Sequence, residues 1–406
     1  MDVMSSYLEK KLQNKKRILY LVGGFHVGGT ERHLSQILPE LSEDFDVIVV
    51  CLGQDGPLSK KIKEKGILIH FLTQRPLLNI PKIAGVSLLI RNILTVLFLL
   101  RKYKPVAIHS FLGAPTIVAG VVSRFFPKIK FIASKRNQLS RPDSFWKEGV
   151  FEKWALKKAN LVLAHSTEVQ RELIEIGVSS KNTLLIHNGI RGSNFLRNLS
   201  VRNAYREQHS WDEAVTFTLV ANLIPYKGHE FALRAAADLK TKNLPQRWKL
   251  VFVGKGDQEY TNQLLSFVTD LELENCVDFL GYQSNIEQIL QASDVGMLLS
   301  KHEGFSNSIL EYMASSLPVI ATNVGGNKDS VIPNETGYLV EQNDTEKLTS
   351  YMSELILNTD RRLQLGSIAK EKVETDFSLT GMFAKYRDMY DMVLNNSPDR
   401  DSGNAR

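Results

Sequence analysis

Short apolar segments of strand length alternate with stretches of helical periodicity along nearly the whole chain, and they do so in two separate runs. The first run reads "RILYLV", "DVIVVC", "ILIHFL", "VAIHSF", "IKFIAS", "LVLAHS" and "TLLIHN". A polar, irregular stretch, "RGSNFLRNLSVRNAYREQHSWDEA", interrupts it, and the pattern restarts with "VTFTLVA", "WKLVFVG", "CVDFLGY", "DVGMLLS", "LPVIATN" and "GYLVEQ". Strands separated by crossover helices form parallel sheets covered on both faces. Two such runs in 406 residues predict two doubly wound, Rossmann-like α/β domains. The expected division is residues 1–191 and 192–378, with a final helix over 379–395 packing back toward the first domain and a disordered tail over 396–406. Ligands of open α/β sheets sit beyond the carboxyl ends of the strands, so a central cleft faced by both domains is the expected active site.

Charge divides the same way. Residues 1–191 carry 29 Lys and Arg against 15 Asp and Glu, a net of +14, and the remaining 21 and 29 give the rest a net of −8. A basic first half points to an anionic partner such as lipid headgroups, a phosphorylated acceptor or nucleic acid, with a scattered solvated surface as the alternative. The two cysteines, Cys51 and Cys276, lie in apolar strand-like runs; buried inert thiols and a reducing compartment are expected rather than a disulfide framework. The N-terminal "MDVMSSYLEKKLQNKKR" lacks the apolar core of a secretory signal. The most apolar span, Ile83 to Leu100, carries Arg91 at its middle, which favours a docked or buried helix over a membrane crossing.

The motifs fall mostly at strand ends. The first strand runs into "GGFHVGGTERHLSQIL", where Gly23, Gly24, Gly28 and Gly29 permit a tight, ligand-facing turn or serve geometry alone. Thr30 is a candidate N-cap. The spacing is not G-x-G-x-x-G, so a dinucleotide site is not expected. In the second half, Lys227 and Gly228 follow the strand "FTLVA" and open a helix. A lysine there can deliver charge to a phosphate or simply be solvated. "VFVGKGDQEY" repeats the layout with Gly254 and Gly256.

The richest segment is "HEGFSNSILEYMASSLPVIATNVGG", residues 302–326. Ser306 is placed to cap a helix running to about Ser316, with Ile309, Leu310, Met313 and Ala314 as its buried stripe. The N–H groups of Ser306, Asn307 and Ser308 would then form an anion site. Glu303 precedes it and Glu311 lies one turn inside, off the apolar stripe. Carboxylates are poor phosphate ligands but good acceptors for paired sugar hydroxyls. The set suits a molecule with hydroxyls on both sides of a diphosphate, a nucleotide sugar; an acidic first turn steadied by the helix dipole is the other reading.

Together, "GGTERHL", "IHSF", "HNGI", "YKG", "VGKGD" and "EGFSNSILEYMASSLPVIATNVGG" give the chain a resemblance to the retaining glycosyltransferases of the GT-B fold, glycosyltransferase family four, over residues 17–395. The most specific element is the pair of glutamates separated by seven residues. The resemblance implies the following roles. Glu311 holds the ribose hydroxyls of the donor. Glu303 faces the donor sugar, with Gly304, Phe305, Ser306 and Asn307 near the sugar and phosphates. Lys227 neutralises the diphosphate, and Gly28 and Gly29 form a loop closing over it. Gly254 and Asn222 complete the donor set, and Arg136 stands near the acceptor or diphosphate. Glu303, Lys227 and His109 are the expected catalytic residues. Two positions depart from the pattern. Asn222 stands where the family often has an arginine, and His109 has no second histidine after it. His109 thus either faces the cleft or is a hydrogen-bonded strand-end residue.

The activity implied is transfer of a sugar from a UDP- or GDP-linked donor to a saccharide or lipid-linked acceptor, in polysaccharide or glycolipid assembly. Front-face attack would retain the anomeric configuration and needs no protein nucleophile. No cofactor and no metal are expected, and no nucleic acid. The basic first half, with "LLNIPKIAGVSLLIRNILTVLFLLRKYKP", fits an anionic membrane surface, hence a cytoplasmic protein peripheral to the membrane's cytoplasmic face. A non-catalytic nucleotide-sugar binder and a GT-B-like nucleotide-sugar epimerase are the alternatives.

Overall fold

The structure is a computed structural model that describes residues 15–25, 28–72, 75, 84–137 and 148–395. The chain divides into two compact units, one of residues up to Ile186 together with the chain from Phe383 onward, the other His187–Met382. The division thus falls between Ile186 and His187 rather than at 191/192. The polar stretch that looked like a linker instead contains a helix, Leu199–Gln208, capped by the Asn198 side chain, and belongs to the second unit. Its Arg202 and Arg206 are ion-paired to Asp294 at 2.7 and 3.1 Å. The expected tail, residues 396–406, lies outside the described residues.

The first unit is built on seven parallel strands: β1 (Arg17–Val22), β2 (Asp46–Cys51), β3 (Leu68–Phe71), β4 (Ala107–Phe111), β5 (Lys130–Lys135), β6 (Leu161–Ala164) and β7 (Thr183–Leu185), in the order 3-2-1-4-5-6-7. β1, β2 and β6 read as near-continuous apolar runs because both faces are covered; every residue of β4 is buried too, His109 and Ser110 included. Val96, Leu99 and Leu100 of the helix Ala84–Tyr103 join Leu19, Ile108 and Phe131 in the core. From Phe383 the C-terminal helix Leu379–Asn395 is part of this unit. Tyr386 and Tyr390 are fully buried there, and Arg387 pairs with Glu40 and Asp44 at 3.0 and 2.5 Å.

The second unit carries six parallel strands: β8 (Val215–Val220), β9 (Trp248–Val253), β10 (Val277–Gly281), β11 (Val295–Leu298), β12 (Val319–Thr322) and β13 (Gly337–Val340), in the order 10-9-8-11-12-13. The strand order reverses between β8 and β11 here, and between β1 and β4 in the first unit. Connections leaving the two strands at a reversal run to opposite faces of the sheet and leave a crevice at the carboxyl edge. The residues singled out in the sequence follow these four strands or their neighbours. Two doubly wound parallel sheets of this kind are the GT-B fold.

Candidate active site

In the second unit, β8 ends at Val220 and the chain turns through a 3-10 segment, Pro225–Lys227, into Gly228 at φ +79°. Only glycine fits here on two counts. The backbone is left-handed, and a Cβ would lie 2.1 Å from the Leu299 carbonyl oxygen. The loop after β8 therefore presses directly on the loop after β11, and the two side chains that matter meet. Lys227 Nζ lies 2.5 Å from Glu303 Oε1, the side chains 18% and 12% exposed. The Tyr226 ring stacks on His302 at 4.5 Å and 15°, and the Lys301 N–H donates to the Tyr226 carbonyl at 2.7 Å. The pair is thus clamped from both loops.

From Glu303 the chain enters the helix Asn307–Ala314. Ser306 occupies the N-cap position with extended backbone, but its side chain makes no capping bond, which corrects the expected cap. The anchoring comes from elsewhere. Ser308 Oγ donates to the Val220 carbonyl at 2.9 Å, and Asn188 Nδ2 donates to Asn307 Oδ1 at 2.6 Å. The Tyr312 hydroxyl accepts from the Val220 N–H at 2.7 Å and donates to the Met297 carbonyl at 3.1 Å. One helix is thereby tied to the ends of β8 and β11 at once. The first-turn N–H groups, which have no intrahelical partner, open at the same strand ends as Lys227 and Glu303. Glu311 is half-buried, outside the buried set Ile309, Leu310, Tyr312, Met313 and Ala314. Tyr312 extends the stripe read from sequence. It fits because Gly296 of β11 leaves room, a Cβ there standing 2.2 Å from the ring.

Other expected donor contacts have structural occupations. Gly254, at φ +156°, brings the end of β9 so close to β8 that a Cβ would meet the Ala221 carbonyl oxygen at 1.9 Å. Phe305 is 7% exposed, its ring 5.1 Å from His187 and 5.7 Å from Phe377. Gly254 has no side chain and that of Phe305 is buried, so a donor contact from either would be made by its backbone. The Gly304 carbonyl accepts from the Gly326 N–H at 3.0 Å, and Gly325 of the closing pair has left-handed backbone at φ +48°. Asn222 is exposed on the loop after β8.

In the first unit, Gly28 is the N-cap of the helix Gly29–Leu41, so Thr30 lies inside the first turn and does not cap it. A Cβ at Gly28 would fall 2.3 Å from Glu31 Oε2, whereas Gly29 faces open space. His26 and Val27 of the same loop lie outside the described residues. His109 is corrected from a catalytic residue to an interior one. It is wholly buried on central strand β4, with Nδ1 2.6 Å from the Tyr390 hydroxyl and Nε2 2.9 Å from Ser134 Oγ. Burial, with the nearby Arg136 charge, pushes its pKa down to about 3, so the ring is neutral and fully engaged. Two residues on, Phe111 is also buried. Arg136 follows β5 and hydrogen-bonds the Tyr386 hydroxyl, with Glu31 nearby.

Two Asp-x-Asp triplets occur. Asp399-Arg400-Asp401 lies outside the described residues, and Asp44-Phe45-Asp46 opens β2 at the amino edge of the sheet. There Asp46 pairs with Arg17 at 2.6 Å and Asp44 with Arg387, away from the strand ends where a diphosphate would sit. Among the described residues, no three His, Cys, Asp or Glu side chains converge as metal ligands.

A family model described as "Glycosyltransferase Family 4" matches residues 27–191, and one described as "Glycosyl transferases group 1" matches residues 201–372. The sheet orders, the glutamate pair and these two matches agree. The chain belongs to the GT-B glycosyltransferases of family four. This glycosyltransferase is 26% identical, over 89% of its length and 92% of the relative's, to the UDP-Gal:alpha-D-GlcNAc-diphosphoundecaprenol alpha-1,3-galactosyltransferase of Escherichia coli. It is 24% identical, over 86% and 92%, to the N-acetylgalactosamine-N,N'-diacetylbacillosaminyl-diphospho-undecaprenol 4-alpha-N-acetylgalactosaminyltransferase of Campylobacter jejuni. The solved structure of Anabaena Alr3699/HepE in complex with UDP matches its fold with a TM-score of 0.80 at 22% identity, covering 93% of this chain and all of the other.

Several residues that build the site of this glycosyltransferase escaped the reading of its sequence. Tyr312, Asn188 and the His187–Asp329 pair (Nε2 to Oδ2, 3.0 Å) hold the glutamate-bearing segment. Only "HNGI" hinted at the last two, and without a physical reason for its histidine and asparagine. Their partners lie more than 100 residues away.

Proposed function

We propose that this enzyme transfers a hexosyl group, with retention, from a nucleoside diphosphate sugar to a saccharide hydroxyl on a lipid-linked acceptor. The observation that carries the reading is the Lys227–Glu303 pair beside the open N-terminus of the Asn307 helix, with Glu311 one turn along. A diphosphate needs positive charge and N–H donors, and the flanking sugars need acceptors; both kinds of group are present at one sheet edge. The UDP-linked donor of the E. coli relative makes uridine the first base to try, and the diphospho-undecaprenol acceptors of both relatives motivate a lipid-linked acceptor.

In the proposed step, the bond between the anomeric carbon and the β-phosphate oxygen breaks, and its electron pair leaves with the nucleoside diphosphate. The acceptor oxygen bonds the anomeric carbon from the same face, and its proton passes to the departing phosphate oxygen. Charge grows on that phosphate, so Lys227 and the first-turn N–H groups stabilise the transition state more than the ground state. Glu303, held by Lys227, accepts from donor-sugar hydroxyls, and Glu311 accepts from the ribose. With the leaving charge met by these groups, the proposal includes no resident metal. The basic first unit takes the anionic acceptor.

A second reading is a nucleotide-sugar binder without turnover. It is motivated by Asn222 in place of an arginine and by buried Phe111 where a second histidine would stand. Thermal stability against UDP- and GDP-sugars, for wild type and Glu311→Ala, tests the donor site. Selective stabilisation of the wild type supports it, and none by any nucleotide sugar overturns it. Acceptor-dependent release of free nucleotide then separates transferase from binder.

A further inference from the structure

The helix Ala84–Tyr103 buries one face, including Val96, Leu99 and Leu100, in the core of the first unit. Its other face is apolar as well. Val86, Ile90, Leu94 and Phe98 are 53%, 46%, 56% and 61% exposed. Residues four apart lie on one side of a helix, so the four side chains form a stripe about 18 Å long. Arg101 in the last turn stacks its guanidinium over Phe126, 5.7 Å from the ring centroid, and the next residue back in the chain, Phe125, is 63% exposed. Single exposed apolar residues are ordinary on a protein surface, but a continuous apolar stripe marks a contact.

The charge around the stripe selects the contact. No Asp or Glu occurs between Glu64 and Asp143, 78 residues that hold 13 Lys and Arg. Among them Arg101, Lys102, Lys104, Arg124 and Lys128 are exposed at or just beyond the carboxyl end of the helix. Apolar side chains with a surplus of cations at one end, where the acidic Asp46 is already paired with Arg17 beside the Tyr103 carbonyl, match a bilayer bearing negative headgroups. A protein partner covering the stripe would be expected to meet at least some acidic residues here.

The length and hydropathy of the helix would also permit it to cross a membrane. Its packing argues otherwise. Crossing would extract Val96, Leu99 and Leu100 from the core and carry Arg91, whose guanidinium donates to the Arg75 carbonyl at 3.2 Å, into hydrocarbon.

We propose that this face, Val86, Ile90, Leu94 and Phe98 with Phe125 and the surrounding cations, seats the enzyme on an anionic lipid surface. The helix lies in the plane of the headgroups. The inference rests on the first unit alone and stands or falls separately from the donor chemistry.

The test is flotation of the full chain with vesicles of phosphatidylcholine alone or mixed with phosphatidylglycerol, for wild type, Leu94→Glu/Phe98→Glu and Arg124→Glu/Lys128→Glu. The wild type is expected to float with the mixed vesicles and not with phosphatidylcholine alone. The apolar double variant should remain in the unbound fraction at an unchanged thermal midpoint. The basic double variant should bind more weakly by about fivefold or more per charge removed. Wild type left unbound by anionic vesicles overturns the proposal, and so does undiminished binding of L94E/F98E. A dimer that L94E/F98E dissociates, in a protein that ignores vesicles, overturns it in favour of a second copy. Stabilisation by nucleotide sugars, measured on the same preparations, reads the donor site independently.

Discussion

Lys227 and Glu303 meet at 2.5 Å across two loops that leave neighbouring strands of one sheet. The pairing has a mechanistic consequence. In the proposed reaction a diphosphate arriving beside Lys227 would draw on a cation already oriented by Glu303, so little reorganisation would be needed as charge develops. Lys227→Ala should lower kcat by about 10² to 10³, and Lys227→Gln should do the same because the charge is what matters. The pair also bears on stability. Lys227→Ala leaves Glu303 poorly solvated, so the single variant should be less stable than the double variant Lys227→Ala/Glu303→Ala. Urea unfolding of the three proteins checks this; equal stabilities would mean the pair is electrostatically idle.

Glu311 is read as a binding residue and not as part of the charge machinery. Glu311→Gln should therefore raise the KM for the nucleotide sugar with a smaller effect on kcat. A ligand at 100 times its Kd adds about 2.7 kcal/mol of stability, and the variant should lose most of that increment at the same donor concentration. A fall in kcat with KM unchanged would move Glu311 into the chemical step.

Tyr312 ties the helix to both strands flanking the crevice. Tyr312→Phe leaves the Val220 N–H without its side-chain acceptor and should cost about 1–3 kcal/mol of unfolding free energy. Gly296→Ala should destabilise by a comparable amount, about 1–3 kcal/mol, since the new methyl group would overlap the Tyr312 ring. Chemical denaturation measures both.

His109, His33 and His229 are held neutral by burial: His109 down to about 3, His229 to about 4 and His33 well below the ordinary imidazole value. A base with a depressed folded-state pKa gains its proton only on unfolding. The unfolded chain thus binds more protons as pH falls below about 6.5, and stability is lost from there down toward the folded-state values. Each such ring steepens the loss by up to about 1.4 kcal/mol per pH unit. Unfolding midpoints between pH 7.5 and 5 should fall accordingly, and His109→Gln should shallow the slope. It should also leave turnover at pH 7.5 largely intact where the protein is folded; a 10³-fold loss in kcat would return His109 to the chemistry.

Much of this was legible in the order of residues. Alternating apolar and helical segments are local signals, and they sufficed for two parallel α/β units because a strand buried on both faces is apolar over most of its length. Glu303, Glu311 and Lys227 could be located relative to strand ends for the same reason. A strand, a turn residue and a helical period are each written in a few neighbouring positions, and the resemblance then named their roles. Which side chain meets which was not legible. Phe305 and His109 look alike in sequence to residues that face ligands, yet one closes an aromatic cluster and the other hydrogen-bonds Tyr390, 281 positions away. The 3-2-1-4-5-6-7 and 10-9-8-11-12-13 strand orders, the burial of Tyr386 and Tyr390 in the first unit, and the two-strand anchorage of Tyr312 all arise from long-range packing. Local periodicity carries the type of an element and the face it buries. The partner it buries against is chosen only when the whole core closes.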